Sequence, residues 1–180
     1  LRRFDFEIFD IENLSTHGGS LRYYIKRKSN KKQKVTNKVD SQIKKEIRFG
    51  LHKYNTYKRF SFNVSESKKK LLQILNKIKK DKKKIIGYGA TAKAVTVLNY
   101  CNINKDLIPN FTDTTTEKIN NYVPGRNIKI SKYNKNILKN YDYAFLGAWN
   151  FKKEIIQKEK KFIKKGLRFL THVPYPKFIK

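Results

Sequence analysis

Apolar residues along this chain follow three successive rhythms. At the start, Phe4, Phe6 and Ile8 alternate with Asp5 and Glu7, and beyond a turn Leu21, Tyr23 and Ile25 alternate with Arg22, Tyr24 and Lys26. A period of two predicts the strands of a hairpin within residues 1–28. A lone hairpin is marginal in water, so it is expected to join a larger sheet whose other strands lie upstream of Leu1. Residues 29–38 are polar and basic, a linker by composition. The period then lengthens: Ile43, Ile47 and Leu51 share one face of a helix expected over 40–51, and Leu71, Leu72, Ile74, Leu75 and Ile78 mark a second. From Ile85 onward short apolar runs alternate with helical patterns, which predicts a mostly parallel sheet with helices on its faces. Strands are expected at 85–88, 107–113, 128–131, 143–148 and 168–173, and helices at 91–101, 134–139 and 150–165, the last closed by Gly166. The fold class is α/β, divided as 1–28, 29–83 and 84–180.

The stretch Ile85-Ile86-Gly87-Tyr88-Gly89-Ala90-Thr91-Ala92-Lys93 is a strand, a tight turn and a helix start. Gly87-x-Gly89-x-x-Ala92 fits a dinucleotide-binding fingerprint, with Asp113 where a ribose-binding acid would stand. A Rossmann-like turn without a cofactor fits the same residues. Tyr88 to Lys93, Asp113, Trp149 with Asn150, and His172 to Pro174 all fall at or beyond the carboxyl ends of expected strands, the edge where open α/β sheets bind ligands. Trp149 can also anchor packing, and Asn150 can cap the helix that follows.

Composition narrows the choice of partner. A net charge of +29, from 43 Lys and Arg against 14 Asp and Glu, suggests nucleic acid, because clustered cations release counterions from phosphates. Yet lysines are spread over nearly every expected helix and loop, and the densest runs, 26–34 and 68–84, suit solvated faces. No specific nucleic-acid partner is expected. No apolar run approaches the roughly 20 residues of a membrane span, and no signal peptide is visible, so no membrane partner and a cytoplasmic location are expected. The single cysteine, Cys101, lies on an apolar helix face and reads as a buried, inert thiol. The chain starts at Leu1 and contains no Met, which reads as a fragment with a neighbour upstream. His17, beside Gly18 and Gly19, is either an acid, base or donor, or an exposed turn residue.

The segments GYGATAKAVTVLNYC (87–101), DLIPNFTDTT (106–115), YVPGRNIKI (122–130), YDYAFLGAWNFKKEII (141–156) and KKGLRFLTHVP (164–174) resemble, in order and spacing, the C-terminal domain of the sugar C-methyltransferases. THGGSLRYYI (16–25) resembles the stretch that closes that family's central methyltransferase domain. The resemblance implies methyl transfer from S-adenosylmethionine to a carbon of a nucleotide-linked deoxysugar, beside a keto group. It places the S-adenosylmethionine loop, a zinc site of cysteines and a Tyr-x-Glu-His catalytic motif upstream, in the chain's own methyltransferase domain. His17 matches a family histidine and is a candidate second acid or base. Gly18, Gly19, Ser20 and Arg22 match the same stretch, and Gly87, Tyr88, Gly89, Ala90, Thr91, Lys93, Asp113, Trp149 and Asn150 match the C-terminal motifs as candidate substrate-binding residues. The competing classes are an NAD(P)-binding Rossmann domain and a basic nucleic-acid-binding module. Under the first assignment, any DNA binding is independent of sequence and fades steeply between low and physiological salt. Fluorescence anisotropy across a salt series checks this, and nanomolar affinity for one sequence at physiological salt would contradict it.

Overall fold

Two antiparallel strands, β1 (Phe6–Leu14) and β2 (Ser20–Arg27), pair from Phe6↔Arg27 to Leu14↔Ser20, with a bulge at Phe9 where the register shifts. They belong to a computed structural model that describes residues 1–179, without the side chains of Arg2 and His17. The chain forms two compact units, Leu1–Phe62 and the residues from Asn63 on. In the first, the segment expected to be a plain linker is tied back to the hairpin. The buried Lys26 ammonium donates to the carbonyls of Asn30 (2.9 Å) and Gln33 (2.6 Å) and pairs with Glu7 at 3.1 Å. Asp10 accepts from the Thr36 hydroxyl at 2.7 Å and from Lys38 at 3.2 Å. Helix α1 (Asn37–Phe49) follows and stops at Gly50, whose left-handed backbone returns its N–H to the Glu46 carbonyl. The sheet in this unit has these two strands, and Tyr23 and Ile25 stay exposed on it.

Helix α2 (Tyr54–Lys80) begins well before the apolar run that predicted it. Leu71, Leu75 and Ile78 are buried at i, i+4 and i+7, whereas Tyr54, Tyr57, Phe60 and Phe62 in its first half are exposed. That half has no burial stripe for periodicity to detect.

The second unit holds a seven-stranded sheet in the order β5-β6-β4-β3-β7-β8-β9. Its members are β3 (Ile85–Tyr88), β4 (Asn110–Asp113), β5 (Tyr122–Val123), β6 (Ile128–Lys132), β7 (Tyr143–Leu146), β8 (Arg168–Thr171) and β9 (Lys177–Ile179). The five central strands are parallel, and β5 and β9 run antiparallel at the edges. β3 is central and fully buried. On one face, Ala94, Leu98 and Cys101 of the segment led by α3 (Ala92–Tyr100) join Leu71, Leu75, Ile78, Phe111 and Phe145 in one core. On the other, Ile155, Leu138 and Leu167 pack with Ile86, Leu146 and Phe169. Burial pushes the Cys101 thiol above its ordinary range, as an inert core thiol requires.

Three expected elements change, and two strands are added. β4 starts at Asn110, because Pro109 has no N–H to donate to a ladder and Leu107 and Ile108 turn back to the Asn104 carbonyl. Residues 134–139 give only a 3-10 turn, Ile137–Asn140. The helix expected over 150–165 divides into α4 (Lys152–Lys158) and α5 (Lys160–Lys164) at Glu159, whose side chain turns inward. The edge strands β5 and β9 are too short to show a period, and exist because a neighbour supplies their hydrogen bonds.

His172, just past β8, stacks on the Phe145 ring at 5.2 Å, and neither of its nitrogens has a partner among the described residues. Burial pushes its pKa down to about 4. The unfolded chain therefore binds a proton that the folded chain refuses, and stability present above about pH 6.5 is lost as pH falls toward 4. The expected loss approaches about 3 kcal/mol at the acid end of that window. Urea unfolding at stepped pH checks this, with His172→Phe expected to flatten the slope between pH 6.5 and 4.

Candidate functional site

The turn after β3 is held by contacts that its glycines permit. Gly89 has φ +82°, and a Cβ there would lie 2.7 Å from the Ala148 Cβ. A Cβ at Gly147, in the turn after β7, would collide with the Gly89 carbonyl oxygen. The two turns thus meet backbone to backbone at the point where strand order reverses direction. Thr91 locks them: its hydroxyl donates to the Gly147 carbonyl at 2.9 Å and accepts from the Ala94 N–H at 3.2 Å as the N-cap of α3. Gly87 lies inside the strand, where any side chain would strike the Phe111 ring.

Asp113, at the end of β4, secures the same turn. One carboxylate oxygen accepts from the Ala90 N–H at 2.7 Å and lies 3.6 Å from the Lys118 ammonium, while the other accepts from the Thr115 N–H at 2.9 Å. Burial pushes this carboxyl up, but the N–H groups of Thr115 and Ala90 and the Lys118 charge outweigh it and hold its pKa below the usual range. Both oxygens have protein partners, so the glycine pattern and the acid that suggested a dinucleotide site serve the fold itself.

Beside this turn lies a pocket of about 400 Å³. Gly89, Thr91, Asp113 and Lys118 bound it on the β3 and β4 side, and Phe151, Glu154, Ile155 and Lys158 on the α4 side. Tyr88 and Tyr133 also line it. Their hydroxyls both donate to one oxygen of Glu159, each at 2.7 Å, and that carboxylate is only 1% exposed. Burial and the hydrogen bond to Glu159 push the Tyr88 phenol far above its ordinary range and the Tyr133 phenol up to about 12. Neither phenol is an acid or base near neutral pH. The Lys158 ammonium caps the Tyr133 ring, 3.8 Å from its centroid.

Lys93 and Trp149 come together at this edge, with the ammonium 4.7 Å from the Trp149 ring centroid, but neither lines the pocket. Asn150 is half-buried in the 3-10 turn Trp149–Phe151 and does not cap α4, whose capping position is Phe151. In the first unit the Ser20 hydroxyl donates to the Thr16 carbonyl and Arg22 pairs with Glu12 at 3.0 Å. Gly18 and Gly19 take left-handed backbone in the hairpin turn. The side chain of His17 lies outside the described residues. Sequence reasoning passed over Tyr133, Phe151, Glu154, Lys158 and Glu159. One signal was available for Glu159: it follows Ile155 by four and precedes Ile163 by four, placing a carboxylate on the apolar stripe of a lysine-rich helix.

Five parallel strands, a glycine turn at the reversal point and a pocket on the carboxyl edge define a Rossmann-like α/β domain. A family model described as C-methyltransferase C-terminal domain matches residues 15–174, and this chain belongs to that family. It is also similar to the C-methyltransferase NovU of Streptomyces niveus, 28% identical over 172 residues. That match covers 96% of this chain and 41% of the relative's length. No helix among the described residues is long and apolar enough to cross a membrane. Among the same residues no group of three or more His, Cys, Asp or Glu side chains is placed to hold a metal ion.

Replacing Asp113 with Ala leaves the Ala90 and Thr115 N–H groups without their charged acceptor. Unfolding free energy in urea is expected to fall by about 1.5–3 kcal/mol. A change below about 0.5 kcal/mol, as for an ordinary surface substitution, would show that the clamp contributes nothing.

Proposed function

We propose that this chain is the substrate-binding part of an S-adenosylmethionine-dependent C-methyltransferase acting on a nucleotide-linked keto-deoxysugar. The observation that carries the assignment is the carboxyl-edge pocket beginning at the N-terminus of α3, in a chain of the C-methyltransferase C-terminal domain family. A carbon beside a ketone becomes nucleophilic once a base removes its proton, and donors aimed at the developing enolate oxygen lower that barrier. An upstream methyltransferase domain supplies base and cofactor, and this chain holds the sugar nucleotide. The residues here do not suit S-adenosylmethionine: the glycine turn after β3 packs against Gly147, and the acid after β4 is committed to that turn. No step is therefore assigned to the cofactor in this chain.

The binding groups have distinct tasks in this scheme. The first turn of α3 carries partial positive charge, which favours a diphosphate, and Lys93 in that turn adds a point charge beside the Trp149 face. On the family resemblance alone, Gly18, Gly19, Ser20 and Arg22 of the hairpin unit are further candidate substrate contacts, and His17 is a candidate second acid or base. Calorimetric titration of the 180-residue chain is expected to show binding of a nucleoside-diphosphate sugar and none of S-adenosylmethionine at micromolar levels. Lys93→Ala should weaken the former by about 1.5–3 kcal/mol, the worth of a charge-assisted hydrogen bond. Micromolar S-adenosylmethionine binding, or an unchanged sugar-nucleotide affinity in the variant, would remove this division of labour.

A further inference from the structure

We propose that the groove lined by α4, α5 and the edge strand β9 is a docking surface for an acidic amphipathic helix of a partner protein. The groove has a volume of about 700 Å³, and none of its residues has a task in the methyl-transfer scheme above. Half-buried Ile156, Ile163 and Ile179 give it an apolar floor. Lys152, Lys153, Lys160 and Lys164 stand around that floor, all exposed, and no acid lines the groove. Among the described residues none of these four ammonium groups has an ion-pair partner.

Charge on α4 and α5 is sorted, unlike the diffuse lysine of the chain as a whole. Lys152, Ile156, Lys160 and Lys164 recur every four residues and keep to one face across the break at Glu159. Both acids of this stretch lie elsewhere: Glu154 lines the carboxyl-edge pocket, and Glu159 is buried under Tyr88 and Tyr133. An occupant that answers both floor and rim needs a row of apolar residues with negative charge on each side of the row. An amphipathic helix with Asp or Glu flanking its apolar stripe carries that arrangement, and lays the stripe into a groove of this kind. Residues 152–164 extend about 20 Å at a rise of about 1.5 Å per residue, room for roughly three to four turns of partner helix. A flat anionic bilayer meets the lysines but not the floor between them, whereas a rod about 10–12 Å across can enter. A second copy of this chain is opposed by the net charge of +29 on each.

The test separates this groove from the general attraction of a basic chain for anions. Two fluorescein-labelled peptides of about 14 residues, long enough to span about 20 Å as a helix, are titrated into the 180-residue chain by anisotropy. One carries leucine at i, i+3, i+4 and i+7 with glutamate on both flanks, and the other has the same composition in scrambled order. The wild type is expected to bind the amphipathic peptide tenfold or more tightly than the scrambled one. Lys153→Glu with Lys160→Glu should remove most of that margin, while Lys105→Glu with Lys135→Glu, the same charge change away from the groove, should leave it within twofold. All four lysines are exposed, so neither pair opens the core. Equal affinity for the two peptides, or an equal loss in both double variants, would overturn the docking surface. So would co-sedimentation with phosphatidylglycerol vesicles, or a dimer in sedimentation equilibrium, that the groove variant abolishes while the wild type shows no preference between the peptides.

Discussion

The carboxyl edge of the sheet depends on one close approach, the meeting of the turns after β3 and β7 at Gly89 and Gly147. Side chains at either position would force the turns apart, and the Thr91 hydroxyl bridges them only because they touch. From that contact follow the start of α3, the position of Asp113 against the Ala90 N–H, and the floor of the neighbouring pocket. A glycine-rich turn can therefore serve packing and ligand binding with the same residues, and here packing accounts for each glycine.

A second constraint is the placement of negative charge in a strongly basic chain. With 43 cationic residues against 14 acidic ones, most acids could be expected to lie on the surface as partners for lysine. Asp113 and Glu159 instead lie inside, each fixing backbone or aromatic groups that border one pocket. A buried carboxylate persists only where hydrogen bonds replace its water, and each of these has at least two. The break between α4 and α5 at Glu159 fits this demand: the helix yields one residue of regularity and the carboxylate reaches both phenols.

These internal ties also divide the candidate residues by task. Gly87, Gly89 and Asp113 build the edge, Tyr88 walls the pocket, and Lys93 with Trp149 forms a separate cation–aromatic pair at the same edge. The hairpin residues belong to another compact unit, with Arg22 engaged by Glu12 inside it. Family membership identifies a C-methyltransferase C-terminal domain, and the geometry shows which of its side chains are engaged within the fold.

The alternation of short apolar runs with helical patterns was enough to locate β3, β6, β7, β8 and α3 to within a residue or two, because each buries a face against a neighbour of matching period. The glycine turn and its flanking edge were legible for the same reason, and the motif order carried the family. Tertiary structure alone decided the rest. β5 and β9 take their hydrogen bonds from adjacent strands, the first half of α2 has no buried stripe, and the lysine-rich segment after β2 is fixed by side-chain contacts back to the hairpin. The pocket belongs to this second group: Tyr88, Tyr133 and Glu159 lie far apart along the chain and share no local pattern. Their convergence on one carboxylate oxygen is set by the strand order, which a local period does not encode.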